Sequence, residues 1–256
     1  MEKWVVAAKR ADFQKISREF GIDPVTARLI RNRDVVGEEN IRAYLYGTLE
    51  ELSSPWLLKD MEKAVEILSE KISSRAKIRI IGDYDIDGVS STYILLRGLK
   101  RLGAKADTYI PDRIKDGYGM HRQLIEQAAE DQVDTIVTCD NGIAASEEIA
   151  QAKKLGMTVI VTDHHEIPYI DTEEGRKWIL PPADAVINPK QASCRYPNKN
   201  LCGAAVAWKL IWALYEKHQI PKEEILEFSE VAAFATVGDV MDLHGDNRII
   251  VKEVLK

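Results

Sequence analysis

Three aspartates at alternate positions, Asp83, Asp85 and Asp87, close an apolar run in the stretch IRIIGDYDIDGVSST, and Gly88 with a hydroxyl-rich segment follows at once. Carboxylates this close repel and raise one another's pKa unless protons or cations intervene, and a divalent metal is the simplest reason to keep them. Three later apolar runs end alike: TIVTCDNG in Asp140, TVIVTDHH in Asp163, His164 and His165, and FATVGDV in Asp239. Singly, each has an ordinary explanation, since Asp140 before Asn141-Gly142 can make a turn and Asp87 or Asp239 can cap a helix. Convergence of all of them on one edge of one sheet would not be ordinary.

An Asp-x-Asp-x-Asp-Gly run also opens a calcium-binding EF-hand loop, which needs a bidentate Glu at its twelfth position and a helix in front. Counting from Asp83, that position is Ile94 and the preceding segment is a β-type run, so the EF-hand reading fails. Carboxylates mixed with imidazole, without thiolates, point to Mn2+ or Mg2+ and away from structural zinc. So many aspartates exceed what one ion with an open position can use. Two ions sharing a bridging aspartate, roughly 3.5–4 Å apart, use them all; they activate a water and stabilise both oxygens of an in-line displacement at phosphorus. The residues alone thus lead to a metal-dependent phosphoesterase.

Ligands at strand ends require a sheet, and the pattern from Ala76 onward predicts one. KIRIIGD, ADTYIP, TIVTCD and TVIVTDHH read as strands, separated by helices in GVSSTYILLRGLKRLG, HRQLIEQAAE and ASEEIAQAKKLG. Strict alternation with Val/Ile-rich strands means an α/β fold, a mainly parallel sheet flanked by helices on both faces, with ligands at the carboxyl ends of the strands. EIPYIDTEEGRKWILPPADA, with its prolines and charge run, reads as a surface loop before a short strand, AVINP. LCGAAVAWKLIWALYEKH reads as a buried helix and KEEILEFSEVAAFATVGDV as a single helix whose end delivers Asp239. Ahead of the sheet, residues 1–75 read as a small helical region. Asp12 caps one helix, Asp23-Pro24 opens a second, Glu38 to Tyr46 forms a third, and a fourth places Met61, Val65, Leu68 and Ile72 on one face. The expected division is therefore 1–75 and 76–256. The last segment, NRIIVKEVLK, has no capping or breaking residue, as expected of a fragment of a longer protein.

Of the 256 residues 45% are hydrophobic and 30% charged, an ordinary globular composition with room for a sizeable core. No apolar run approaches the roughly 18 residues of a membrane span, and MEKWVVAAKRADF turns charged too soon for a secretory signal, so a cytoplasmic protein without a membrane partner is expected. Cys139, Cys194 and Cys202 form no CxxC pair and are odd in number, which fits reduced thiols. A net charge of −6 argues at first against a nucleic-acid partner, but two bound dications would offset most of it.

Asp163-His164-His165 together with DYDIDG, TCDNG and VGDV resemble the four motifs of the DHH phosphoesterase superfamily, closest in wording to its RecJ-type single-stranded-DNA exonucleases. PDRIKDGYGM, INPK and CRYPNKNLCGAAVAWKL resemble further segments of that family, over about residues 76 to 245. The resemblance implies metal ligands at Asp83, Asp85, Asp87, Asp140, His164 and Asp239, with Asp140 bridging two Mn2+ or Mg2+ ions; Ile81 stands where related phosphatases carry a histidine. It also implies that His165 donates to the substrate phosphate and that Asp163 orients the neighbouring imidazole. Arg113 is the expected clamp on a terminal phosphate, and Ser90 and Asn141 are expected to contact substrate; Tyr118 and Tyr196 are candidates to stack bases, although a tyrosine beside glycine or proline more often packs a loop. Lys115, Arg122, Lys190, Arg195 and Lys199 are the basic residues expected near the rim. By resemblance the activity is 5′→3′ degradation of single-stranded DNA to mononucleotides, with single-strand-binding protein and a helicase as partners. Short oligoribonucleotides, cyclic dinucleotides or pyrophosphate are the alternative substrates. A non-catalytic DNA- or replisome-binding module is the alternative role, against which the filled ligand positions argue.

Overall fold

A computed structural model of the chain describes residues 9–113, 119–173 and 175–255. Asp12 accepts the Lys15 amide to start α1 (Phe13–Phe20), Asp23 and Pro24 open α2 (Pro24–Asn32), and α3 (Glu38–Tyr46) follows. Phe20, Ile30, Val35 and Ile41 form a small core of their own around these helices. In α4 (Met61–Ser73) the predicted face of Met61, Val65, Leu68 and Ile72 is buried, and it joins the core beneath the sheet.

From there β1 (Lys77–Ile81), α5 (Ile86–Arg101), β2 (Lys105–Tyr109), α6 (Arg122–Glu130), β3 (Thr135–Cys139), α7 (Ser146–Lys154) and β4 (Thr158–Thr162) alternate as the pattern predicts. A two-stranded hairpin of β5 (Tyr169–Thr172) and β6 (Gly175–Trp178) comes next, then β7 (Ala185–Ile187), α8 (Gly203–Lys217), α9 (Lys222–Leu226), α10 (Ser229–Gly238) and α11 (Gly245–Val254). The main sheet runs β2-β1-β3-β4-β7 with every neighbour parallel. The strand order reverses between β1 and β3, which opens a crevice at their carboxyl ends, the usual ligand site in such sheets. The Asp83–Asp87 stretch follows β1 directly and Asp140 follows β3. Among the described residues no helix is long and apolar enough to cross a membrane.

Two expectations need correction. The segment after His165 holds the β5–β6 hairpin where a loop was expected; its strand residues are all exposed, so no buried face gives it alternating hydrophobicity. KEEILEFSEVAAFATVGDV is two helices, broken at Glu227 and Phe228. The Trp208 indole donates to the Ile225 carbonyl at 2.7 Å and the Ser229 hydroxyl to the Leu226 carbonyl at 2.6 Å, so side chains satisfy carbonyls that a continuous helix would give to its own amides.

Candidate metal centre

After β1 the chain turns into α5 on Asp85, whose Oδ1 accepts the Asp87 and Gly88 amides at 3.0 and 2.9 Å. Asp85, and not Asp87, is therefore the helix cap. Asp87 falls in the first turn of α5 and is fully buried; its oxygens accept the Gly203 amide at 2.5 Å and the Ala204 amide at 2.8 Å. These are the first amides of α8, where the helix dipole favours an anion. Gly203 has no room for a side chain, since a Cβ there would lie 2.8 Å from both Asp140 Cβ and Oδ1. The Asp140 backbone itself sits in the left-handed region at φ 60, which aspartate tolerates better than most residues.

At the end of β4, Asp163 is almost wholly buried and saturated with donors. Its Oδ1 accepts the amides of His164 and His165 at 2.7 and 3.0 Å and His165 Nδ1 at 2.8 Å, and its Oδ2 accepts the Ile143 amide at 2.9 Å. Asp163 thus fixes the His165 ring. The His164 ring points elsewhere, with Nε2 3.1 Å from Asp140 Oδ1, 3.5 Å from Asp87 Oδ2 and 3.7 Å from Asp239 Oδ2. Three sets of ligand atoms lie within 4.8 Å of one another: Asp83, Asp85 and Asp140; Asp87, His164 and Asp239; and Asp140, His164 and His165. All six expected ligands fall in these sets, and Asp140 links the first to the third.

Burial, reinforced by Asp87 and Asp85, pushes the Asp140 carboxyl up to about 11. Burial likewise raises Asp83, with Asp85 adding to it, and burial together with Asp87 raises Asp239. Burial lowers the His164 imidazole despite Asp87 beside it, which favours the neutral, ligating form. Burial would raise Asp163 as well, but the hydrogen bond and charge of His165 and the amide donors outweigh it and hold the carboxyl low. The hydrogen bond that His165 donates to Asp163 raises His165. Among the described residues, neither buried oxygen of Asp83 has a hydrogen bond of ordinary geometry. Carboxylates crowded until they favour protonation, with buried oxygens left over, fit a hard divalent cation of the Mg2+ or Mn2+ class.

Residues 77–237 match the family model described as the DHH family, N-terminal domain. The chain belongs to the DHH family. It is 38% identical over 249 residues to the single-stranded-DNA-specific exonuclease RecJ of Bacillus subtilis (strain 168), a match covering 97% of this chain and 30% of that protein. The crystal structure of RecJ from Thermus thermophilus in complex with Mn2+ superposes with a TM-score of 0.74 at 31% identity, covering 95% of this chain and 32% of that one. The Mg2+ complex of the Thermus protein gives 0.62 at 28% identity, covering 95% and 29%. The chain spans about a third of the length of these relatives.

Around the DHH-family cluster the remaining expected residues divide. Arg113 is exposed, with its guanidinium 5.5 Å from the centre of the Tyr84 ring, between Asp83 and Asp85 in sequence. Tyr118 and Lys115 lie outside the described residues. Ser90 is buried in α5. Asn141 is also buried, and its Nδ2 is committed to the Ile81 and Cys139 carbonyls at 3.1 and 2.9 Å, which ties β1 to β3. It still lines, with Gly142, Ile143 and His165, a cleft of about 410 Å³. Tyr196 is no base-stacking residue: it is fully buried and its hydroxyl donates to Asp246, a partner 50 positions away that its loop-like surroundings did not reveal. Lys190 pairs with Glu166 at 2.8 Å, Arg122 with Glu126 at 3.1 Å, and Lys199 donates to the Cys194 carbonyl at 2.7 Å. Arg195 is exposed beside Trp56 and Lys59, lining a different cavity from His165. The start of α8 went unassigned as part of the site; its signal is the run Cys202-Gly203-Ala204-Ala205, small residues opening an apolar helix.

Proposed function

We propose that this chain carries the catalytic centre of a metal-dependent phosphodiesterase that degrades single-stranded DNA from the 5′ end to mononucleotides, using two divalent cations. The observation that carries the reading is Asp140, which forms one ligand set with Asp83 and Asp85 while its Oδ1 lies 3.1 Å from His164 Nε2 of the set with Asp87 and Asp239, the position a bridge between two ions needs. The names of the relatives, single-stranded-DNA-specific exonucleases, supply the substrate class.

Bound cations would activate a water and neutralise charge at the scissile phosphate. Asp83, Asp85 and Asp140 would hold one ion and Asp87, His164 and Asp239 the other, with Asp140 Oδ1 standing 3.1 Å from His164 Nε2 of the second set. Asp163 holds the His165 ring through Nδ1 and favours its protonated form, so that Nε2 becomes a donor for a phosphate oxygen. His165 lines the cleft of about 410 Å³, large enough for one nucleotide beside the reacting phosphate. Arg113, beside the aspartate triplet, suits a bidentate grip on a terminal phosphate. The test is incubation of 5′-labelled single-stranded and duplex DNA with the chain in Mn2+. The wild type should release labelled mononucleotide from the single strand only, and Asp140→Ala should release none while keeping the fold by circular dichroism. Activity retained in that variant would sink the mechanism.

A further inference from the structure

Two helices end at the metal centre, and neither uses its outer face there. On α5, Ile86, Val89, Tyr93, Arg97 and Lys100 follow at spacings of three, four, four and three, so they share one face, and all are exposed. Ile86 is 37%, Val89 47% and Tyr93 46% exposed. On α10 and just beyond it, Phe234 is 59%, Val237 49% and Val240 87% exposed. The helices meet where the ligands are. Asp85 and Asp87 stand at the start of α5, Asp239 stands at the end of α10, and Gly238 packs so tightly on Ile86 that a Cβ would come within 2.5 Å of its Cδ1. Isolated apolar residues on a surface are normal, but a strip of six that begins at a catalytic centre is a binding surface.

We propose that this strip is the path of the single strand beyond the scissile phosphate, with bases lying on Tyr93, Phe234 and the aliphatic side chains between them, and phosphates reaching Arg97 and Lys100. The proposal rests on the hydrolase reading for what the centre cleaves. One ring on each helix and two cations following Tyr93 along α5 form the combination that holds unpaired strands: every base offers a face to stack, and the charges track the backbone. A protein partner fits less well, because the strip starts at carboxylates that its interface would have to bury, and interface cores are depleted of charge. Glu230, exposed one turn before Phe234, directs the phosphates to the α5 side. A helix of 16 residues is about 24 Å long, enough for several nucleotides. Duplex DNA hides its base faces, so the same strip would select single strands.

The test follows anisotropy of a labelled twelve-nucleotide oligothymidylate with phosphorothioate linkages in Mn2+, and, in parallel, cleavage of a dinucleotide. The double variant Tyr93→Ala/Phe234→Ala should bind the oligonucleotide at least about tenfold more weakly. Tyr93→Phe should bind it as the wild type does. Arg97→Gln/Lys100→Gln should make the slope of log affinity against log salt shallower by roughly 1.4. Dinucleotide cleavage should be unchanged in all of them. Wild-type affinity in the double alanine variant would overturn the strand path. So would a change from dimer to monomer in sedimentation without loss of oligonucleotide affinity, which would make the strip a contact with a second copy. A chain that binds the oligonucleotide through the strip yet cleaves neither substrate would overturn the hydrolase reading alone.

Discussion

Replacing Gly203 with alanine should disable the metal centre without removing any ligand. The new Cβ would sit 2.8 Å from Asp140 Cβ and Oδ1 and 3.0 Å from Cγ. Ordinary carbon contacts begin about 0.6 Å further out. Rotating the carboxylate relieves Oδ1 but not Cβ, so either the end of β3 or the start of α8 has to move. The start of α8 supplies the two amides that hold Asp87 at 2.5 and 2.8 Å, so the strain reaches a second ligand whichever side yields. Overpacking of this kind costs roughly 1–3 kcal/mol. Displacement of ligands from their supports weakens metal binding by about 10–100-fold. Calorimetric titration with MnCl2 and urea unfolding in EDTA would measure the two effects. Gly98→Ala is the control, because its Cβ would strike Ile211 at 2.6 Å at the α5–α8 contact, away from the ligands. It should lose stability and keep its Mn2+ affinity. Wild-type affinity in Gly203→Ala, or equal loss in both variants, would refute the proposed coupling of α8 to the site.

The carboxyl of Asp140 is raised to about 11 in the metal-free protein, so the stability it contributes is present at low pH and lost as pH rises above the ordinary carboxylate range. Asp140→Asn should therefore melt above the wild type in EDTA at pH 8, by more than about 3 °C, with a smaller gap at pH 5 and little added stabilisation by Mn2+. Asp163→Asn should lower the pKa of His165, read from its imidazole proton shifts, because the hydrogen bond to Asp163 is the largest cause of its upward displacement. Lys209 is fully buried, donating to the Ser53 carbonyl at 2.7 Å with Asp246 3.6 Å away, and burial outweighs Asp246 to bring it from 10.5 to about 8. A lowered lysine binds fewer protons folded than unfolded between those values, so stability against urea should rise from pH 8 to 10, by up to about 3 kcal/mol, and Lys209→Met should flatten that rise.

The sheet and its ligands were legible because β1, β3 and β4 are buried on both faces and read as Val/Ile-rich runs, so acids just past their ends stand out by type alone. Which aspartate caps α5 was not legible, since Asp85 and Asp87 offer the same acceptor and only backbone geometry chooses Asp85. The hold of α8 on Asp87 spans 116 positions, and no local pattern encodes a contact of that range. The partner of Tyr196 was hidden for the same reason: packing is the commoner reading for a tyrosine beside proline, but only the fold brings Asp246 to its hydroxyl. The β5–β6 hairpin was not legible because periodicity reports burial, and none of its strand residues is buried.

Crystals grown with MnCl2 and measured at the manganese absorption edge test the bridging role of Asp140 most directly. Two anomalous peaks roughly 3.5–4 Å apart are expected. Asp140 should touch both, Asp83 and Asp85 one, and Asp87, His164 and Asp239 the other. A single peak, or two peaks that do not share Asp140, would contradict the two-cation centre.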